Sequence, residues 1–434
     1  MSDTLPAAVT GTVPALARPG GLAAACTRWL EAGKPLALAT IVATEGSAPR
    51  PLGTTMVIGE GGLVRGSLSG GCVESDLIEQ GLEVLASGVP ERRTYGYTDA
   101  AAWEVGLMCG GSIDVLVQPL AAPDPAAGLD ALLDGAPGAL LWSLDEPSRR
   151  LALPVPLADD AGEWEGPLAA LLAGADGPGA TDEADATDEA SATGGACEPV
   201  LSVDPALVRR LAAQLAARTA AGETGIIVLP VDCGLPADGI PALPAPDAPE
   251  LFLLVRRPAP RLIVSGTTDL AAALLAQGRT LGYDTTVVDP RSTFLTRERF
   301  PAADRIVVAR PDRYLREEQA AGRLDHRTVI ACLGHDPKID DPLVETALSL
   351  PVAYVGAMGS RRTHHERIRR LLERGVTTTQ LEALHSPIGL DLGGSTPAEF
   401  ALSVMAEVVA ERTGRAAAQP LRTTIGPLHG SIPA

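Results

Sequence analysis

Arg261-Leu262-Ile263-Val264-Ser265-Gly266 is an apolar run that ends in glycine, and Thr285-Thr286-Val287-Val288-Asp289 is a second that ends in an acid. Between them, Ala271–Leu281 places apolar residues at helical spacing. Further strands are predicted at 305–309, 328–333 and 353–356, with helices between. Strand and helix alternating at this spacing predict a parallel, doubly wound sheet, which binds ligands at the carboxyl ends of its strands. The fold class expected is therefore α/β, with a Rossmann-like domain over 260–415.

Asp289 lies 23 residues after Gly266, where a Rossmann carboxylate meets a ribose hydroxyl. The glycine loop is altered. Gly266-Thr267-Thr268-Asp269-Leu270-Ala271 keeps the first and last small positions but carries Thr268 where the second glycine belongs. Arg291 suits a 2′-phosphate. Gly266, Thr268, Asp289 and Arg291 are the binding candidates here. Two readings stay open: an NAD(P) site, or a Rossmann shell that offers its crevice to another phosphate-bearing ligand. His335-Asp336 follows the fourth strand. Gly356-Ala357-Met358-Gly359-Ser360-Arg361-Arg362 follows the fifth as an anion loop, with Gly356, Gly359, Ser360 and Arg361 as candidates. His364 and His365, set among Arg and Glu, read as solvated helix-face residues.

The amino-terminal half carries two cysteines in mirrored glycine settings, Ser69-Gly70-Gly71-Cys72-Val73-Glu74 and Cys109-Gly110-Gly111-Ser112. Glycines beside a cysteine clear side-chain bulk, so a large ligand can approach both thiol and backbone N–H groups. Predicted strands at 35–43, 54–58 and 112–118 and helices at 20–33 and 73–85 make this an α+β cysteine-bearing domain, 20–255. Weaker strands are predicted at 139–143, 151–155 and 225–229. Cys72 directly precedes a helix, whose positive end favours thiolate. Arg256-Arg257-Pro258-Ala259-Pro260 reads as a linker, and 1–19 and 416–434 as tails. Residues 159–198 hold eleven acids and no Lys or Arg, and read as a disordered acidic insert.

The 434 residues suit two domains, and a formal charge of −19 argues against nucleic acid as the main partner. No leader-like segment or bilayer-spanning apolar run is apparent, so a cytoplasmic protein without a membrane span is expected. Six cysteines there read as free thiols, and the absence of a C-x-x-C pair speaks against structural zinc. Cys26, Cys197, Cys233 and Cys332 read as packing or incidental residues.

Together these motifs resemble the XdhC/CoxI family, accessory factors in the maturation of xanthine dehydrogenase and carbon monoxide dehydrogenase. The amino-terminal signature runs from Glu45-Gly46-Ser47-Ala48-Pro49-Arg50-Pro51-Leu52-Gly53 into Gly66–Glu74 and then Cys109-Gly110-Gly111. The carboxy-terminal signature is Tyr354–Arg362 and Pro387–Glu399. The resemblance implies a chaperone that binds molybdenum cofactor (molybdopterin), shields it, and delivers it to an apo molybdenum hydroxylase. A cysteine desulfurase would supply the terminal sulfur, and the chaperone itself would be a homodimer. Molybdenum held by a dithiolene accepts thiolate, so Cys72 and Cys109 are the metal and catalytic candidates. The amides of Ser69, Gly70, Gly71, Gly110 and Gly111 would hold oxo groups or the pterin phosphate, and Glu74 would accept a proton from a thiol or hydrogen-bond the pterin. Glu74 reads equally as a first-turn helix acid favoured by the dipole. Competing classes are an NAD(P)-dependent oxidoreductase and a thiol-based sulfur carrier using Cys72 and Cys109.

Overall fold

The computed structural model describes residues 26, 29–46, 48, 50–96, 111–120, 137–144, 150–154, 160–173, 205–229, 250–415 and 418–423. They form two units that part between Pro258 and Ala259, inside the stretch read as a linker. Among the described residues no helix is long and apolar enough to cross a membrane.

In the amino-terminal unit β1 (Leu36–Glu45) is buried at every position through Val42. It pairs with β2 (Thr55–Gly59), which continues to β3 (Leu63–Arg65). Helix α1 (Glu74–Ser87) precedes β4 (Glu91–Tyr95) and β5 (Ser112–Leu120), giving an antiparallel sheet in the order β3-β2-β1-β5-β4. Alternation along β1 divides its side chains between two cores. Ala37, Ala39 and Ile41 pack with Leu77 and Val84 of α1. Leu36, Leu38 and Val42 join Leu140, Trp142 and Phe252 of a second sheet.

That second sheet comprises β6 (Gly138–Ser143), β7 (Arg150–Pro154), β8 (Gly225–Val228) and β9 (Glu250–Arg256), in the order β7-β6-β9-β8. Its outer face is covered by α2 (Ala161–Ala173) and α3 (Pro205–Ala221) through Trp164, Leu168, Leu211 and Leu215. Helix α2 corrects the reading of 159–198 as a wholly disordered insert. Its acids sit on a solvated face, while Trp164 is fully buried and supplies apolar area that a charge count overlooks. Residues 174–198 lie outside the described residues, as do the expected tails except for 418–423.

The carboxy-terminal unit is the doubly wound sheet the sequence predicts. Its elements are β10 (Arg261–Ser265), α4 (Asp269–Thr280), β11 (Asp284–Asp289), β12 (Arg305–Val308), α5 (Pro311–Ala320), β13 (Val329–Cys332), α6 (Pro337–Ala347), β14 (Tyr354–Ala357), α7 (Arg361–Glu373), α8 (Thr378–Glu382), β15 (Leu384–His385) and α9 (Pro397–Arg412). The strands are all parallel, in the order β12-β11-β10-β13-β14-β15. Helices α4 and α9 cover one face through Leu274, Leu275, Val404 and Met405. Helices α5, α6 and α7 cover the other through Leu315, Leu343, Val344 and Leu371. The chain reverses direction across the sheet between β10 and β13, which puts the ligand crevice of such folds beside Gly266 and Leu333.

Candidate functional site

The loop Gly66–Val73 is pinned at two points. Leu68 and Val73 are fully buried in the core beneath α1, while Cys72 is exposed. Between the pins the chain turns back on itself, with Gly70 at φ +84° and Gly71 at φ +124°. Side chains rarely adopt those values, so glycine is needed there for conformation. A Cβ at either glycine would meet nothing within 4 Å, and the space above the loop is open.

The loop closes around its own acid. Glu74 Oε1 accepts hydrogen bonds from Ser67 Oγ (2.7 Å) and from the amides of Leu68 (3.1 Å), Ser69 (2.9 Å) and Gly70 (3.1 Å). Oε2 accepts from Ser69 Oγ (2.5 Å) and from the amides of Gly71 (2.8 Å) and Val73 (3.3 Å). Ser69 Oγ in turn accepts from the amides of Cys72 (2.8 Å) and Val73 (3.0 Å). Burial pushes the Glu74 carboxyl up, but the hydroxyls of Ser69 and Ser67 and the Ser69 amide outweigh it and hold it well below the usual carboxylate range.

Two expectations are corrected here. The amides of Ser69, Gly70 and Gly71 are committed to Glu74 rather than turned toward an oxo group or phosphate. Glu74, charged and saturated with donors, is a poor proton acceptor and instead fixes the loop that presents Cys72. Cys109 and Gly110 lie outside the described residues; Gly111 is buried at the start of β5.

In the carboxy-terminal unit the predicted residues line the expected sheet edge, but several have other uses. A Cβ at Gly266 would lie 2.9 Å from the Leu333 carbonyl carbon, so this glycine is set by the neighbouring strand end. Thr268 caps α4, Asp336 caps α6 through the Lys338 amide (3.0 Å), and Ser360 caps α7 through the Thr363 amide (3.1 Å). Gly356 lies inside β14, paired on both sides, with Ile388 packed where a Cβ would stand. Gly359 makes room for Thr363. His335 and Arg361 are exposed.

Asp289, expected to meet a ribose, is buried and held by Arg291, whose Nε and Nη2 each donate at 2.8 Å, one to each carboxylate oxygen. Asp289 and Thr268 thus both serve the fold itself, which leaves the NAD(P) reading without support from either residue.

Beside this crevice lies a group that the sequence reading passed over. Cys332 and Asp340 are both buried, and each bears on the other's ionisation. Burial pushes Asp340 up to about 6, opposed by Cys332, Arg367 and His335 and reinforced by Asp341. Burial also pushes the Cys332 thiol up. A carboxyl raised in the fold favours its neutral form there, so its stabilising contribution is present at low pH and lost as pH rises through about 6. Asp340→Asn is expected to be more stable than the parent by about 2–3 kcal/mol at pH 8, and equal to it near pH 4. Urea unfolding at the two pH values measures the difference.

Known proteins bear on both units. The XdhC and CoxI family model matches residues 29–96, and the XdhC Rossmann domain model matches 262–408. The chain is 26% identical over 384 residues to the molybdenum cofactor insertion chaperone PaoD of Escherichia coli (strain K12), covering 88% of this chain and 85% of that one. It is 29% identical over 162 residues to a probable xanthine dehydrogenase subunit of Bacillus subtilis (strain 168), covering 37% of this chain and 46% of that one. It is 30% identical over 174 residues to the uncharacterized protein YqeB of Escherichia coli (strain K12), of which it spans only 29%. A crystal structure described as a xanthine dehydrogenase from Bacillus halodurans shares the fold. It is 21% identical, with a TM-score of 0.56 over 93% of this chain and 97% of that one.

Proposed function

The chain belongs to the XdhC and CoxI family, and from that premise we propose that it binds molybdenum cofactor, shields it and inserts it into an apo molybdenum hydroxylase of the xanthine dehydrogenase or carbon monoxide dehydrogenase type. The observation that carries the reading is Cys72, an exposed thiol on a loop clamped by Glu74. The relative matched over most of both chains, named a molybdenum cofactor insertion chaperone, supports the same reading. Dithiolene-bound molybdenum is a soft centre that a thiolate can hold. The clamp keeps that thiol in one place, which lowers the entropy cost of capturing the cofactor.

In this reading Cys109 is the second sulfur ligand, a cysteine desulfurase supplies the terminal sulfido group, and the chain works as a homodimer without turnover of its own. The test is transfer. Cofactor-loaded protein mixed with cofactor-free hydroxylase should restore hydroxylase activity in proportion to the molybdenum leaving the chaperone. Loaded protein that leaves the hydroxylase inactive would contradict the reading. So would a metal-free preparation that oxidises an alcohol with NAD.

A further inference from the structure

The motif Glu45–Gly53 has no task in the reading above. Its Arg50 opens on a cavity of about 470 Å3, lined also by Thr54, Thr55, Arg65, Gly66 and Ser67. Ser67 begins the loop that wraps Glu74 and ends at Cys72, so cavity and thiol share one loop. The cavity is an open surface cleft, with Arg50, Arg65 and Gly66 exposed.

The cavity has a distinct polarity. Arg65 donates to the Val64 carbonyl (2.9 Å) and lies over the Trp29 ring at 6.0 Å. Among the described residues neither Arg50 nor Arg65 meets a carboxylate. Arg92 and Arg93 of the same unit are both paired with acids, as expected in a chain with 54 acids and 35 bases. The hydroxyls are donors already in use: Thr54 Oγ1 to the Pro51 carbonyl (2.7 Å), Thr55 Oγ1 to the Gly53 carbonyl (3.2 Å) and Ser67 Oγ to Glu74 (2.7 Å). With their protons so used they can only accept further bonds. Ser67 Oγ already accepts from the Gly70 amide (3.0 Å) and Thr55 Oγ1 faces Thr40 Oγ1 (3.2 Å), which leaves Thr54 Oγ1 the least engaged acceptor. A ligand that matches has an anionic group for the two guanidiniums and an N–H donor for the Thr54 oxygen. A guanidinium fork suits phosphate in particular.

We propose that Arg50 and Arg65 hold the phosphate monoester of the pterin whose metal Cys72 takes. This rests on the cofactor reading above. It also answers a question that reading leaves open, because the loop amides at 69–71 are occupied by Glu74 and cannot receive the phosphate.

The experiment uses the full chain and an Arg50→Gln/Arg65→Gln variant, which removes both guanidiniums, including the one over Trp29, and keeps the proximal methylenes. The first probe is inorganic phosphate at constant ionic strength, read by thermal unfolding. The variant should need at least about tenfold more phosphate than the parent for the same stabilisation. Identical curves would overturn the proposal.

The second probe is the fluorescent oxidised pterin released from the cofactor, with its phosphate or after phosphatase treatment. The parent should prefer the phosphorylated form by about tenfold or more, and the variant should lose that preference. A preference that survives in the variant, alongside Cys72-dependent cofactor loading, would overturn the arginine assignment and leave the chaperone reading standing. If the parent binds phosphate through the arginines but neither pterin, this proposal fails, while the cofactor reading is decided separately by Cys72-dependent cofactor loading.

Discussion

Glu74→Gln is expected to destabilise the amino-terminal unit by about 2–4 kcal/mol and to release the loop that carries Cys72. The carboxylate accepts seven hydrogen bonds, five from amides and two from hydroxyls. Glutamine keeps the volume, but it turns one acceptor atom into a donor facing donors. It also removes the charge that makes the remaining bonds strong. Denaturant unfolding measures the loss. Limited proteolysis between Ser67 and Val73 reports the release, since Leu68 and Val73 still anchor the ends. The sign with pH follows from the depressed carboxyl. Its contribution is present above the ordinary carboxylate range and lost as pH falls below it, so the variant should show a smaller loss of stability in acid than the parent.

Glu318→Ala should cost more, about 3–5 kcal/mol, because it strands a buried charge. Arg261, the first residue of β10, is buried and donates to Glu318 (2.5 Å), to the Tyr314 hydroxyl (2.8 Å) and to the Arg323 carbonyl (3.1 Å). Removing the acid leaves the guanidinium without a counter-charge in the interior. Arg323 also bonds Glu318 but is mostly exposed. Arg323→Ala should therefore cost no more than about 1 kcal/mol, which makes it the control. Burial pushes Glu318 up, but its two arginines hold it below the usual range. The stability it supplies is thus present above that range and lost as pH falls through it. Urea titrations of parent and both variants at neutral and acid pH test the magnitude and the sign.

The carboxy-terminal fold was legible because strands buried on both faces of a parallel sheet are unbroken apolar runs, and β10 and β11 read as such. Other elements carry no such mark. β4, Glu91-Arg92-Arg93-Thr94-Tyr95, is an edge strand whose charges face solvent and neighbouring acids. In α2 a buried Trp164 stands among acids, and composition hid it.

Within the candidate site, sequence placed Cys72 and its loop correctly in the chain but misread the direction of its hydrogen bonds. A run of serines and glycines beside a glutamate reads equally as a ligand nest or as a clasp on that glutamate. The same ambiguity covers Thr268, Asp336 and Ser360. The end of each strand in a doubly wound sheet is also the start of a helix, and a capping side chain uses the residue types that a ligand site does. Arg50 stood inside a motif already noticed. Its significance depended on Arg65 sharing the same cavity, and only the fold brings the two together.

The most direct measurement is the pterin and molybdenum content of the protein purified from molybdate-fed cells, for the parent and for Cys72→Ala. The parent should carry both in comparable amounts. The variant should lose most of the metal at unchanged stability, because Cys72 is exposed and packs against no core. Equal pterin and molybdenum in the two proteins, or none in the parent, would contradict the account.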